Sequence, residues 1–369
     1  MLPTLLQKNP ETDMKISAII CEFNPIHKGH KRLIDLARNT SDYVVCVMSG
    51  NFTQRGLPAC ADKYARARHA VRCGADLVVE LPTVFACASA ENFALGGVKI
   101  ASMMGAETLL FGSECGDITT LRLTAELLQQ PRTNERIREE IAKGASYPKA
   151  VALALGLPIL DSPNNVLALE YIRAIQRLNV NIEPVTLKRT DNYTATHPKG
   201  RYASSTAIRA NPEIIGKYSY HFVAEDMNLV AETAFKEYAP HALATFTAEE
   251  LELIEGMTEG INNRIFAADK SGGYETLCEA VKTKRYTRAK IQRLIFAATV
   301  AMTKNEVATQ MRTTPHTKVL AVSPRATTLL ERADNMTDVV TQRSDRLYYS
   351  FANGVTPPTK LQVVEQKLK

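Results

Sequence analysis

No two cysteines of this chain are spaced as CxxC, and no cysteine–histidine group has the spacing of a metal site. The seven cysteines, Cys21, Cys46, Cys60, Cys73, Cys87, Cys115 and Cys278, are scattered, several of them inside apolar runs where cysteine acts as a small hydrophobe. That pattern argues against a disulfide or metal framework, and the expected setting is the reducing cytoplasm. No apolar run is long enough to span a bilayer, so no membrane partner is expected. Residues 1–13 lack the apolar core of a signal peptide and read as a ragged leader, with Met14 an alternative start. There is no repeat and no low-complexity tract. What remains is an ordinary composition, 45% hydrophobic and 23% charged, over 369 residues, which is enough for a real core and suggests two domains. The formal charge of +6 is a mild bias towards a polyanionic partner.

The first half alternates strand-like and helix-like segments. Apolar, β-branched runs read as strands at 16–21, 42–48, 76–82, 108–114 and 181–189. Between them lie helical segments from residue 28, from about 61 to 73 with Gly74 as the stop, and from Ser89 to Gly105. Residues 119–180 are helical and interrupted by prolines; the SPNNVLALEYIRAIQRL segment has Ser162 or Asn164 as its cap. Continuous apolar strands separated by helices predict a parallel, doubly wound α/β sheet, with ligands at the carboxyl ends of its strands. Beyond about 220 strand signals largely vanish and helical patterns take over.

The polar residues that stand out fall at those strand ends. Residues 16–30 read ISAIICEFNPIHKGH: a strand, a tight loop, and a helix start carrying His27 and His30 three apart, hence on one face. Backbone N–H groups and the dipole at that end favour an anion, and Gly29 permits close approach. YASSTAIRA at 202–210 sets Ser204, Ser205 and Thr206 before a helix with Arg209 on it, either a second anion cradle or an ordinary cap. Lys282, Lys284, Arg285, Arg288, Lys290 and Arg293 follow one another with no acid between them and Tyr286 among them. This is either a solvated basic face or a surface for a nucleic-acid backbone, and the one-sidedness favours the second.

HKGH and SSTAIR together resemble the HxGH and ISSTxIR signatures of the nucleotidyltransferase superfamily. The longer strings EFNPIHKGH, MSGNFTQRG, ADKYARARHAVRCGADLVVELP, SAENFALGGV, FGSE, SPNNVLALEY and TKRYTRAKIQRL resemble, in the same order from residue 16 to at least 296, the bacterial tRNA(Met) cytidine acetate ligase family. The resemblance weakens beyond that, in VLAVSPRATTLL (319–330) and the tail. It implies a Rossmann-like nucleotidyltransferase domain, expected at 14–215, and a mostly helical C-terminal domain at 216–369 that contacts tRNA. It also implies an ATP-dependent reaction in two steps. Acetate attacks the α-phosphate of ATP to give acetyl-adenylate and pyrophosphate. The exocyclic amine of the wobble cytidine of elongator tRNA(Met) then takes the acetyl group and AMP leaves.

On that resemblance His27 and His30 are the catalytic donors to the α-phosphate. Ile20, Cys21, Glu22, Phe23, Asn24, Pro25, Ile26, Lys28 and Gly29 line the ATP with them, and Ser204, Ser205, Thr206 and Arg209 hold the β and γ phosphates. Gly112, Arg189 and one of Asn164 or Asn165 are further nucleotide contacts; at Gly112 the missing side chain leaves room for adenosine. Acetate beside a phosphate needs a cation or N–H donors to hold it; Lys63, taken as a third catalytic residue, and Arg55 are the candidate cations. Asp62 is either a helix cap or a base for the cytidine amine. Mg²⁺ is expected with ATP, held mainly by phosphates and water, without an assigned protein ligand. The tRNA surface is expected to use Lys284, Arg285, Arg288, Lys290 and Arg293, with Lys188, Arg189, Lys199 and Arg201 nearer the site; Tyr286 either stacks on a base or belongs to the core. Two other readings fit part of the pattern: an adenylyltransferase for a small phosphorylated metabolite, and an RNA-binding protein with a degenerate nucleotide site.

Overall fold

A computed structural model describes residues 14–145, 147–189, 200–283, 286–352 and 354–368. Six strands form one sheet: β1 (Ile16–Cys21), β2 (Tyr43–Ser49), β3 (Leu77–Leu81), β4 (Thr108–Ser113), β5 (Glu183–Lys188) and β6 (Val319–Val322), in the order β5-β4-β1-β2-β3-β6. The first five are parallel. All residues of β1 and β3 are buried, as expected of strands covered on both faces. Helix α1 (Lys28–Thr40) buries Leu33, Ile34 and Ala37 on one face of the sheet. The helices Ala90–Met103 and Pro163–Leu178 cover the other, packing Phe93, Val98, Leu169 and Ile172 into the larger core.

From β1 the chain crosses to β2 and β3 on one side, whereas β4 and β5 lie on the other. The order therefore reverses between β1 and β4, and a crevice opens above their carboxyl ends. Helix α2 (Lys63–Arg72) returns the chain from β2 to β3. Its guanidinium Arg66, fully buried, donates to the carbonyls of Glu22 (2.6 Å), Ser49 (3.2 Å) and Gly50. Arg66 thus ties the end of β1 to the end of β2.

The second half departs from a purely helical unit. Val319–Val322 adds antiparallel to β3, with Leu77 opposite Val322 and Val78 opposite Ala321. Residues 362–364 then lie along β6, Val322 N donating to Gln362 O (2.9 Å) and Val364 N to Val322 O (2.8 Å), so the sheet edge is covered. Four apolar residues before a Ser-Pro step carry too little periodicity to announce a strand, and their partner lies more than 240 residues upstream. Among the described residues, 221–312 is mostly helical, built on Phe235, Ile261, Leu277, Leu294 and Phe296. Among the described residues no helix is long and apolar enough to cross a membrane. All seven cysteines are free.

Candidate active site

A cavity of about 550 Å³ opens above the carboxyl ends of β1 and β4. Its floor is Ile20, Cys21, Glu22, Phe23 and Asn24, and His30, Gly112, Asn164, Arg189, Ser205, Thr206 and Arg209 stand around it. Two segments 180 residues apart in sequence are therefore one site. They are bonded to each other: Ser205 Oγ donates to Pro25 O (2.9 Å) and Arg209 Nη1 donates to Asn24 O. Ser204 does not face the cavity; its hydroxyl caps the Ser205–Ala210 helix by accepting from Ala207 N (3.1 Å).

The helix start departs from a simple open anion site. His27 is the N-cap of α1 and its Nδ1 accepts from Gly29 N (3.1 Å), while His30 Nδ1 accepts from His27 N (3.3 Å). Two backbone N–H groups are thus taken by the imidazoles. A neutral imidazole whose Nδ1 accepts carries its proton on Nε2, so both rings are set as Nε2–H donors. The rings stack, with centroids 3.7 Å apart, and His30 meets the edge of Phe23 at 5.0 Å. Burial, then His27 and Arg189, hold the pKa of His30 well below 6.5. His30 is therefore a neutral donor at neutral pH. Phe23 itself adopts φ 46°, a left-handed backbone that a bulky residue pays to occupy and that packing maintains here. A Cβ on Gly29 would come within 2.9 Å of the His27 ring, so this glycine makes room for the imidazole.

Pro25 and Ile26 support the loop from behind, Ile26 O accepting from Ser219 Oγ (2.5 Å). His27 and Gly29 line a small adjoining cleft with His30, Lys188 and Arg189. Lys28 points away, donating to Lys217 O (2.5 Å). The space above Gly112 is filled by the stem of Arg189: a Cβ there would lie 3.2 Å from Arg189 Cγ. Asn164 and Asn165 separate cleanly. Asn164 lines the cavity, with its Nδ2 donating to Glu114 Oε1 (2.7 Å). Asn165 is buried behind it; its Oδ1 accepts from Glu114 N (3.0 Å) and Cys115 N (3.1 Å), and its own N–H donates to Glu114 Oε2 (2.8 Å). Glu114, from the end of β4, thereby caps the Pro163–Leu178 helix, a task the Ser162 side chain does not perform.

Lys63 is a correction. It does not line the cavity but is 1% exposed, with Nζ 2.7 Å from both Glu80 oxygens and 2.5 Å from Asp345 Oδ2. Burial works against its charge, but Glu80 and Asp345 outweigh this and hold its pKa above the usual lysine range. Glu80, buried and only partly offset by Lys63, is pushed up to about 7, and burial also raises Asp345. Asn51 completes the cluster, donating to Asp345 Oδ1 (2.9 Å) and accepting from Lys63 N (2.8 Å). The lysine is spent on holding helix Val339–Phe351 to the sheet edge. Asp62 is the cap of α2, accepting from Tyr64 N (2.9 Å) and Ala65 N (3.2 Å). Arg55 does line the cavity. Asp345 arrives from 282 residues away and had no local signal; Glu80, a carboxylate ending an apolar strand, was the visible clue.

The basic helix Arg288–Thr299 is also less open than its sequence. Arg288 is engaged by Glu275 and by Glu279 (3.1 Å), from the preceding helix. Lys290 lies over the Tyr286 ring at 4.6 Å, and burial lowers the pKa of Arg293. Tyr286 is a core residue, its hydroxyl bonded to Glu259 (3.1 Å). Lys284, Arg285 and Lys199 lie outside the described residues; Lys188 and Arg201 are exposed.

A HIGH Nucleotidyl Transferase family model matches residues 14–351. The tRNA(Met) cytidine acetate ligase of Acetivibrio thermocellus is 36% identical over 327 residues, covering 80% of this chain and 79% of the relative. That of Bacillus subtilis is 36% identical over 310 residues, covering 76% and 75%. Among solved structures, apo Thermotoga maritima TmcAL superposes with a TM-score of 0.80 at 28% identity, over 93% of this chain and 96% of that one. The same protein bound with alpha-thio ATP gives 0.78 at 28% identity, over 96% and 97%. With the HKGH and SSTAIR segments meeting at one cavity and likeness spread over nearly the whole chain, this protein belongs to the tRNA(Met) cytidine acetate ligase family.

Proposed function

We propose that the chain ligates acetate to the exocyclic amine of the wobble cytidine of elongator tRNA(Met), using ATP and passing through acetyl-adenylate. The observation that carries this reading is the junction of the HKGH and SSTAIR segments in one cavity, in a chain that belongs to this ligase family. ATP lies across the ends of β1 and β4. Attack of acetate on the α-phosphate builds charge on its non-bridging oxygens and on the departing pyrophosphate. His27 and His30, as Nε2–H donors, stabilise the first, and Ser205, Thr206 and Arg209 the second. Gly112, Asn164 and Arg189 flank the nucleoside.

Acetate carries the same sign of charge as the phosphates it approaches, so its site needs a cation. With Lys63 buried in its triad, Arg55 is the candidate from the loop after β2. Mg²⁺ accompanies ATP; among the described residues no group of three or more His, Cys, Asp or Glu is arranged to hold a metal ion, so the ion is held mainly by the phosphates and water. The acceptor cytidine is unpaired in its loop, as single-stranded targets of RNA enzymes commonly are.

ATP–pyrophosphate exchange tests the reading. Exchange that requires acetate is expected. Exchange indifferent to acetate but driven by a phosphorylated metabolite would replace the ligase by an adenylyltransferase, and tight tRNA binding without exchange would make the nucleotide site degenerate.

A further inference from the structure

Part of the cavity wall is left without a role by ATP binding: Thr53, Arg55 and Leu57 of the loop after β2 line it together with Glu232, Thr233 and Lys236 of the helix Val230–Ala244. The seat of that helix is fixed. Phe235 is fully buried and packs on Phe52 (5.6 Å) and Tyr274 (6.1 Å), with Ala231 and Ala239 buried on the same face. Glu232 and Lys236, flanking Phe235, are thereby turned to the cavity, with side chains 30% and 31% exposed and Glu232 Oε1 2.7 Å from Lys236 Nζ. Lys236 also stands 3.6 Å from Glu275.

A carboxylate and an ammonium joined by one bond keep further acceptor and donor capacity: the carboxylate has lone pairs on both oxygens and the ammonium two more protons. Side by side they present acceptor then donor. The Watson–Crick edge of cytosine presents the complement, an N4 amine donor beside the N3 and O2 acceptors, whereas uracil sets an O4 acceptor against the carboxylate. We propose that the Glu232–Lys236 pair reads this edge of the acceptor base, Glu232 accepting from N4–H and Lys236 donating to N3 or O2, and so selects cytidine over uridine. The proposal rests on the ligase reading above and identifies which cavity wall receives the acceptor.

The test uses the full chain and transcripts of elongator tRNA(Met) with cytidine or uridine at the wobble position. Glu232→Ala is expected to lower kcat/KM for acetyl transfer to the cytidine transcript by about 5- to 150-fold, the range of one bidentate base contact. Acetate-dependent ATP–pyrophosphate exchange persists in this variant. In competition binding, the preference for cytidine over uridine falls towards one in Glu232→Ala and in Lys236→Ala, and Glu232→Gln, which keeps an acceptor oxygen, recovers part of it. Wild-type transfer by Glu232→Ala, or an unchanged preference in both alanine variants, overturns the assignment. So does loss of exchange together with transfer, which moves the pair to the adenylation step. Absence of acetate-dependent exchange in the wild type defeats the ligase reading instead, and the two failures are distinct.

Discussion

Replacing Lys63 by methionine separates a structural lysine from a catalytic one. The substitution keeps the unbranched stem of the side chain and removes its ammonium, the cation between Glu80 and Asp345. Two buried carboxylates then face each other with no counter-charge. Breaking a buried ion pair from one side costs about 3–5 kcal/mol, and for a chain of this size that lowers the melting temperature by roughly 4–6 °C. The loss depends on pH with a definite sign. Glu80 already has its pKa raised to about 7 in the folded protein, and removing Lys63 raises it further. The folded variant therefore takes up a proton that the unfolded chain does not hold. Protonation relieves the repulsion, so destabilisation is smaller at pH 6 than at pH 8. Thermal melts at both pH values read this directly. Adding Glu80→Gln and Asp345→Asn to Lys63→Met removes the unpaired charges and recovers most of the stability. Acetate-dependent exchange, measured on folded protein, stays within about tenfold of wild type, because the ammonium does not reach the cavity and acts only through the position of loop 51–60. An unchanged melting temperature with exchange abolished would refute this account and return Lys63 to the substrate.

Three further outcomes follow from the same geometry. His30→Ala removes a pre-aimed Nε2–H donor and lowers exchange by about 10²–10³-fold, with tRNA binding, read by filter retention, preserved. Asn165→Ala strips the partner from two backbone N–H groups of the 114–116 turn; it costs about 1–3 kcal/mol in denaturant titrations and raises the KM for ATP. In the wild type, Glu80 has a folded pKa raised above the unfolded 4.5, so its contribution to stability is fully present below that value and is lost as pH rises through about 7. The slope is at most about 1.4 kcal/mol per pH unit, and Glu80→Gln flattens it.

The parallel sheet was legible because its determinants are local: each strand of β1 to β5 is an apolar run bounded by a turn. The HKGH and SSTAIR segments stand out as short strings whose residue types and spacing suit an anion, and the fold brings His30, Ser205, Thr206 and Arg209 to one cavity. What escaped was set by tertiary partners. Lys63 in sequence is a cation on the helix that closes over the sheet's carboxyl edge; Glu80 and, from the far helix, Asp345 turn it inward. Arg288 belongs to an unbroken basic run, yet Glu275 and Glu279 neutralise it from another helix. The cap of the Pro163–Leu178 helix is Glu114, 50 residues upstream, where local rules point to Ser162 or Asn164. β6 is four residues long and acquires its identity from its pairing with β3 and with residues 362–364.

Activation of acetate with ATP for transfer to RNA is read by incubating the purified chain with radiolabelled acetate, ATP, Mg²⁺ and an elongator tRNA(Met) transcript, followed by nucleoside analysis. Label is expected in N4-acetylcytidine at the wobble position, dependent on ATP, with AMP and pyrophosphate formed in equal amounts. Label absent from the tRNA while an activated acetyl group is required as donor, or ATP consumed with a phosphorylated metabolite in place of acetate, would contradict the ligase reading.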